Sequence, residues 1–301
     1  MQRREFLIAS AFGAMGAGRF TPDGVNPEVK STNPGFGTRA GTRKILIAGG
    51  AYHTAFIRYM AALTGKKRPR ICYLPTASAD RPAGIIQFYQ DCAPLEVEPY
   101  VQESFIGSLR QKQGWDEVLL SMDGIVASGG NTLNQQAIWK AQGIDVVLRN
   151  AWDRGIVLGG ASAGSLCWFE EGTTDSRPKE LSIVQCLGFI KGSHSPHYDA
   201  EAGRRPLYQK LIASGEMKPG YACDNDAGIY FEDNEVKRVV SARVGAKVYY
   251  VSAVGGKAVE KVLEPEPIAS RGVVDRDLVR RSAGGRSTGW CSAPRWHHRP
   301  T

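Results

Sequence analysis

The 301-residue chain has no long apolar run, no paired cysteines and few histidines. No apolar run approaches the roughly 20 residues that a membrane-spanning helix needs, so no integral membrane segment is expected. The six cysteines form no C-x-x-C pair and show no metal-ligand spacing. We therefore expect buried structural thiols, without a disulfide scaffold or a metal site. Histidine is also scarce, with five in the whole chain.

Positive charge is concentrated at the two ends of the chain. The net charge is +8 overall, +4 over residues 1–44 and +5 over residues 269–301, which leaves −1 for residues 45–268. A nucleic-acid-binding protein usually presents a basic face interleaved with aromatic side chains, and this near-neutral body lacks one. Nucleic acid is therefore not an expected partner. The body has ordinary globular composition, with 42% hydrophobic residues in the whole chain.

The N-terminal segment has the layout of an export signal. Arg3-Arg4 precedes Phe6-Leu7 and a short, weakly apolar run, which predicts a twin-arginine signal over residues 1–20. If it functions, the protein is exported to the periplasm; if the two arginines are a chance feature of a frayed helix, the protein stays in the cytoplasm. Residues 21–42 are predicted to be a linker, and the Arg-, Gly- and Ser-rich residues 269–301 a disordered tail.

Residues 43–268 are predicted to form a single α/β domain. Short apolar runs that end in glycine or proline are typical of buried parallel strands; they lie at 43–50, 70–75, 123–130 and 155–160. Helices are expected between them, at 54–64 and over 144–152. Later runs predict antiparallel additions at 229–231, 236–240 and 247–251. The pattern indicates a doubly wound, mostly parallel sheet with helices on both faces and ligands at the carboxyl ends of its strands.

Residues 160–164, Gly-Ala-Ser-Ala-Gly, carry the sharpest chemical signal. They follow a predicted strand and precede a helix, which is the setting of the nucleophile elbow G-x-S-x-G. The serine of such an elbow lies on a tight turn that tolerates only small neighbours. Its Oγ is exposed at the sheet edge, and the next backbone N–H can bind an oxyanion. A glycine-rich phosphate loop or a plain tight turn is the alternative interpretation.

A serine nucleophile needs a base, and the body contains only three histidines, His53, His194 and His197. The last two follow Ser162 by 32 and 35 residues. An α/β-hydrolase would place its histidine far downstream, and no histidine occurs from 198 to 296, which disfavours that fold. The spacing leaves both His194 and His197 open as the base.

Four motifs occur together in one order: Gly-Gly-Asn-Thr at 129–132, the elbow, Thr-Thr-Asp at 173–175 and Ser-Pro-His-Tyr-Asp at 195–199. In these motifs the chain resembles the dipeptidase E/cyanophycinase family of serine peptidases over about residues 43–255. The resemblance implies a fold similar to class I glutamine amidotransferases, with serine in place of the amidotransferase cysteine. It also implies hydrolysis of small peptides.

The same resemblance implies roles for individual residues. Ser162 matches the nucleophile, His197 the general base and Asp175 the acid of a catalytic triad. The backbone N–H groups of Gly130 and Ala163 match the oxyanion hole.

The third member of the triad has more than one candidate. Some relatives use a carboxylate in the segment that corresponds to residues 223–228. The matching position here is Asn225, flanked by Asp224 and Asp226. Asp224 is therefore the alternative acid to Asp175.

Three further residues are predicted to bind substrate: Asn131, Arg204 and Arg205. Dipeptidase E selects an N-terminal aspartate, and cationic side chains in the corresponding region suit a carboxylate. The resemblance thus predicts dipeptides with an acidic first residue. A solvated helix start is the alternative interpretation of the two arginines.

We therefore expect a serine-type peptidase that acts on a small peptide and needs no metal or organic cofactor. The alternatives are a non-peptide amide hydrolase, an amidotransferase-like protein and a non-catalytic relative that binds small molecules. Amidotransferase chemistry is disfavoured because the elbow holds serine, and Cys167 lies five residues further on. Whether the chain forms a homo-oligomer is left open by the sequence.

Overall fold

The computed structural model describes residues 41–268. Its strands are Lys44–Ala48 (β1), Arg70–Leu74 (β2), Glu98–Val101 (β3), Gly124–Ala127 (β4), Val157–Ala161 (β5), Phe169–Thr174 (β6), Ser182–Gln185 (β7), Ile190–Ser195 (β8), Gly220–Cys223 (β9), Ala227–Glu232 (β10), Glu235–Ser241 (β11), Val248–Val254 (β12), Lys257–Leu263 (β13) and Glu266–Pro267 (β14). Its α-helices are Thr54–Leu63 (α1), Pro82–Cys92 (α2), Trp115–Leu119 (α3), Thr132–Gln142 (α4), Ile144–Asp153 (α5), Ala163–Leu166 (α6) and Arg204–Ser214 (α7). The predicted signal segment, the predicted tail and all but the last two residues of the predicted linker lie outside the described residues.

The larger sheet has eight strands in the order β14-β11-β10-β1-β5-β4-β2-β3. The five strands from β1 to β3 in this order are parallel. Helices connect successive parallel strands, as parallel pairing requires. Strand β10 pairs antiparallel with β1, and β11 pairs antiparallel with β10, where the sequence predicts antiparallel additions. The predicted doubly wound α/β fold is confirmed.

Both faces of this sheet are covered, because successive strand residues point to opposite sides. In β1, Leu46 and Ala48 belong to a core with Phe56 and Met60 of α1. Ile45 and Ile47 belong to the opposite core, which contains aromatic and aliphatic side chains of α4 and α5. The near-continuous apolar character of the strands follows from this two-sided burial.

A second sheet has six strands in the order β13-β12-β9-β8-β6-β7. It includes the predicted run at 247–251, so that run is not an addition to the main sheet. Helix α7 packs on this sheet through Tyr208, Leu211 and Ile212. The sequence analysis does not predict the second sheet, because strands such as Ile190–Ser195 are short and polar and lack a clear apolar alternation. The second sheet ends beside the elbow after β5.

Candidate active site

Ser162 lies between β5 and α6 with a positive φ of 57° and a ψ of −120°. Gly160 and Gly164 must be glycines because the backbone of Ala127 lies too close to leave room for a Cβ. A Cβ at Gly160 would lie 2.4 Å from the carbonyl oxygen of Ala127, and a Cβ at Gly164 only 2.0 Å from the same atom. The strand–turn–helix setting predicted from the sequence is therefore present, with small residues where the backbone leaves no room.

His197 reaches Ser162 from the loop after β8. Its backbone N–H donates to the carbonyl oxygen of Gly49 at 3.1 Å, which fixes the loop against the end of β1. Its Nε2 lies 2.8 Å from Oγ of Ser162, and its Nδ1 lies 2.8 Å from Oδ1 of Asn225. Both distances are those of hydrogen bonds. With Nδ1–H donating to the amide oxygen, Nε2 is free to accept the serine proton.

Asn225 stands in the turn between β9 and β10 and completes the row Ser162–His197–Asn225. Its own backbone N–H donates to Oδ1 of Asp199 at 2.8 Å. A Cβ at Gly50 would lie 2.7 Å from its Oδ1, so the glycine at the end of β1 makes room for the amide. An amide can orient the imidazole as a carboxylate does, but it contributes no negative charge.

Behind Asn225, Arg243 holds two carboxylates together. Its guanidinium donates to Asp199 and to Oδ2 of Asp226, and it also donates to the carbonyl oxygen of Asn225 at 2.9 Å. The bond to Asp199 is the main cause that raises the pKa of Arg243 above its ordinary value. On the other side, Oδ1 of Asp226 lies 3.2 Å from Nε2 of His53. These contacts fix the turn that carries Asn225.

The two acids predicted for the triad lie elsewhere. The Asp175 carboxylate is 3.5 Å from Nη2 of Arg204, and its side chain is 65% exposed. Oδ2 of Asp224 accepts from the backbone N–H of Lys247 at 2.8 Å, and burial raises the pKa of Asp224. The structure brings neither to His197, because one follows β6 beside α7 and the other faces the β11–β12 loop. Asn225 occupies that position.

His194 lies inside the second sheet. It is fully buried, its Nδ1 is 3.0 Å from the carbonyl oxygen of Tyr221, and its ring stacks on Phe169. Its Nε2 lies 3.0 Å from Oγ of Ser165, and His194 makes no hydrogen bond to the side chain of Ser162. Burial lowers the pKa of His194 to about 3, so the ring is neutral at physiological pH. This placement is that of a structural histidine.

Two backbone N–H groups belong to the segments that adjoin Ser162. Ala163 begins α6 directly after the serine, and Gly130 follows β4, the strand next to β5. Gly130 has a φ of +135°, and a Cβ there would lie 2.2 Å from the carbonyl oxygen of Ala77. Neither N–H donates to another group among residues 41–268. Both are therefore available to an anionic oxygen.

The three residues predicted to bind substrate make contacts within the protein. Asn131 caps α4, with Oδ1 accepting from the N–H of Asn134 at 2.9 Å. Arg204 is buried and donates to the carbonyl oxygen of Thr173 at 2.7 Å. Arg205 forms an ion pair with Glu260 and lies over two tyrosine rings. None of these contacts directs a guanidinium to Ser162.

A cavity of about 310 Å³ adjoins the row of site residues. Gly50 and Gly129 belong to its wall. A Cβ at Gly129 would lie 3.7 Å from Oγ of Ser162, and Gly50 faces Asn225 as described above. The cavity therefore lies next to this row through Gly50, Gly129 and Ala161, although Ser162, His197 and Asn225 do not line it.

The five cysteines among residues 41–268 are free. Cys167 is buried in the segment after α6, and burial raises its pKa well above the ordinary value. A thiol held in its protonated form is a poor nucleophile, which argues against amidotransferase-type chemistry at this site. In the described part of the chain, no group of three or more His, Cys, Asp or Glu side chains could hold a metal ion.

The sequence predicts Ser162 and His197 but not the residues behind Asn225. Asp199 stands in the quoted motif at 195–199, two residues after the histidine, and its role could have been inferred from there. Arg243 carries no sequence signal, because it lies in a loop 44 residues beyond Asp199. The contact of His53 with Asp226 has no sequence signal either, since the two residues are 173 positions apart.

The sequence matches the model of Peptidase family S51 over residues 45–239. It is 41% identical over 201 residues to the uncharacterized peptidase YgaJ of Bacillus subtilis (strain 168), a match covering 64% of this chain and 83% of that protein. A solved structure of a peptidase from an acI-B1 Actinobacterium aligns with a TM-score of 0.58 at 17% identity, covering 75% of this chain and 95% of that chain. A structure described as peptidase E from Listeria monocytogenes EGD-e aligns with a TM-score of 0.51 at 17% identity, covering 65% and 97%.

Proposed function

The chain belongs to peptidase family S51, the family of dipeptidase E, and from this premise we propose that it hydrolyses small peptides through Ser162, His197 and Asn225. It is a serine-type peptidase. The observation that carries the assignment of residues is the pair of 2.8 Å contacts of His197, one to Oγ of Ser162 and one to Oδ1 of Asn225.

In the proposed reaction, Oγ of Ser162 attacks the carbonyl carbon of the peptide bond while Nε2 of His197 takes the hydroxyl proton. The Nδ1–H bond to Asn225 keeps the imidazole in the tautomer that makes Nε2 the base. His197 then gives its proton to the leaving amine. Water attacks the acyl-enzyme with His197 again as base, which releases the acid product and restores the serine.

The negative oxygen of each tetrahedral intermediate is proposed to bind the N–H groups of Gly130 and Ala163. Both groups belong to closely packed backbone, since a Cβ at Gly130 would overlap Ala77 and Ala163 begins a helix. Donors that are held before the charge develops stabilise the transition state without reorganisation.

Replacing the nucleophile tests this function. Ser162→Ala should lower kcat on a hydrolysed dipeptide by a factor on the order of 10⁴–10⁶ and abolish labelling by a fluorophosphonate. The matched control is Ser121→Ala, which removes an exposed hydroxyl from the turn before β4 and should keep labelling intact. A Ser162→Ala protein that retained more than about a tenth of wild-type activity would overturn the assignment.

The proposal also covers the length of the substrate peptide and the identity of its N-terminal residue. The resemblance to dipeptidase E supports dipeptides as substrates. A preference for an acidic first residue rests on Arg204 and Arg205, and both guanidinium groups are engaged by protein oxygens. The acidic preference therefore stays a prediction from the family alone. Self-association likewise stays open.

Export is proposed from Arg3-Arg4 and the apolar run that follows them. No helix of residues 41–268 is long and apolar enough to cross a bilayer. Export would place the protein outside the cytoplasm with a shortened N-terminus. Cell fractionation that recovers it in the cytoplasm with an uncleaved N-terminus would contradict export and leave the peptidase activity untouched.

A further inference from the structure

The cavity beside Ser162 has a wall of aromatic and aliphatic side chains. Tyr73 and Phe88 stack with ring centroids 5.0 Å apart and planes at 12°. Val126, Ala127 and Ala161, at the ends of β4 and β5, also line it. Its volume of about 310 Å³ is at the lower end of the range of small-ligand pockets, which suits one side chain better than a whole peptide.

The charges of the cavity wall are unsuited to a carboxylate. Among the lining residues that the structure describes, Asp91 is the only acidic side chain, and there is no lysine or arginine. Its carboxylate accepts from the N–H and Oγ1 of Thr54 and from Nε2 of Gln87, all of them neutral donors. His53, the other ionisable group apart from the tyrosines, is bonded to Asp226.

We propose that this cavity is the subsite for the side chain of the substrate residue that contributes the scissile carbonyl, and that it selects an apolar or aromatic side chain over an acidic one. The inference rests on the proposed function. A substrate carboxylate entering the cavity would lose part of its hydration and meet Asp91, with no lysine or arginine among the lining residues to compensate its charge. An apolar side chain would instead bury its surface against Phe88 and Tyr73. The two arginines that the sequence analysis assigns to the substrate, Arg204 and Arg205, do not line this cavity and are paired with Asp175 and Glu260.

A panel of dipeptides with leucine in second place tests this selectivity. Measured as kcat/KM, Phe-Leu and Leu-Leu should be hydrolysed at least about tenfold faster than Asp-Leu, because an unpaired buried charge costs more than a change of apolar shape. Asp91→Asn should narrow the gap by raising kcat/KM for Asp-Leu. Faster hydrolysis of Asp-Leu or Lys-Leu than of Phe-Leu by the wild type would overturn the subsite.

A substitution that fills the cavity tests whether the substrate preference originates there. Gly84 lines the wall, and a Cβ there would lie 3.3 Å from the hydroxyl of Tyr73. Gly84→Leu should lower kcat/KM for Phe-Leu by roughly tenfold or more and leave Ala-Leu within about threefold. Ala83→Leu, on the exposed side of the same helix, is the control and should change neither. An equal loss for both substrates in a folded Gly84→Leu protein would contradict the assignment.

Failure of the subsite and failure of the proposed function give different results. If Ser162 is labelled by the fluorophosphonate and Asp-Leu is the preferred dipeptide, the subsite is wrong and the peptidase mechanism stands. If Ser162 is not labelled and none of the dipeptides is hydrolysed, the proposed function fails, and the subsite with it.

Discussion

At the scale of single residues, the unusual member of the site is Asn225. A carboxylate in this position would orient the imidazole and also stabilise its positive charge, whereas an amide does only the first. A negative charge lies one hydrogen bond further back, on Asp199, and Asp199 is also paired with Arg243. We therefore expect orientation, not charge, to be the contribution of Asn225.

Substitutions at this position separate the two contributions. Asn225→Ala should lower kcat by roughly 10²–10⁴, because the imidazole loses the acceptor that fixes its tautomer. Asn225→Asp should retain activity and move the acidic limb of the kcat/KM profile to higher pH, since a carboxylate favours the protonated imidazole. The measurement is kcat/KM between pH 5 and pH 9.

The competing acids are tested by Asp175→Asn and Asp224→Asn under the same conditions. The exposed Asp175 carboxylate contacts Arg204, so its amide should change kcat by less than about threefold. A decrease in kcat by a factor near 10³–10⁴ in either variant would show that this carboxylate is the third member of the triad. Asn225 would then have no role in orienting the imidazole.

At the scale of elements, the site depends on how closely α6 approaches β4. A Cβ at Gly164 would overlap the backbone of Ala127. The helix and the strand are therefore so close at this point that only glycine fits. This approach sets the distance between Ala163, at the start of α6, and Gly130, beyond the end of β4. We therefore expect the proposed oxyanion hole to depend on this helix–strand packing.

Gly164→Ala should widen this gap. We expect it to lower the free energy of unfolding by about 2–3 kcal/mol, as overpacking does, and to reduce kcat together with stability. Gly65→Ala is the control: its φ is +70° and nothing lies within 4 Å of the added Cβ, so only about 1 kcal/mol of backbone strain is expected, with full activity. Urea unfolding of both variants measures the difference. Equal costs would mean that the approach of α6 to β4 is not tight.

At the scale of the whole molecule, two sheets meet at the site, and His194 lies at their meeting point. It extends from β8 of the second sheet to Ser165 of α6, whose Oγ is also 2.8 Å from the carbonyl oxygen of Ser162. Because His194 is neutral in the folded protein and free to protonate in the unfolded chain, its burial links stability to pH.

The sign of this linkage follows from the two pKa values. With the pKa of His194 at about 3 when folded and near 6.5 when unfolded, the unfolded chain binds the extra proton between these limits. The free energy of unfolding should therefore fall on acidification, by about 2 kcal/mol between pH 7 and pH 5 from this residue alone. His194→Gln should lose that part of the pH dependence, measured by urea unfolding at both pH values. Identical pH dependence in the two proteins would show that His194 is not neutral when folded.

The sequence by itself determines the parts of this protein that rest on local pattern. The apolar runs that end in glycine establish the parallel sheet, because strands buried on both faces must be apolar throughout. The spacing of small residues around Ser162 indicates the elbow, because only glycine fits where backbone meets backbone. These two inferences do not depend on contacts between residues that are far apart in the sequence.

Only the tertiary structure decides what stands beside His197. Asp175, Asp224 and Asn225 are comparable in the sequence, and His194 is as close to Ser162 along the chain as His197 is. The second sheet separates them, since it buries His194 and brings the β9–β10 turn to the imidazole while Asp175 faces Arg204. Hydrogen-bond geometry depends on distances set by strand pairing across the chain, and no local periodicity encodes those distances.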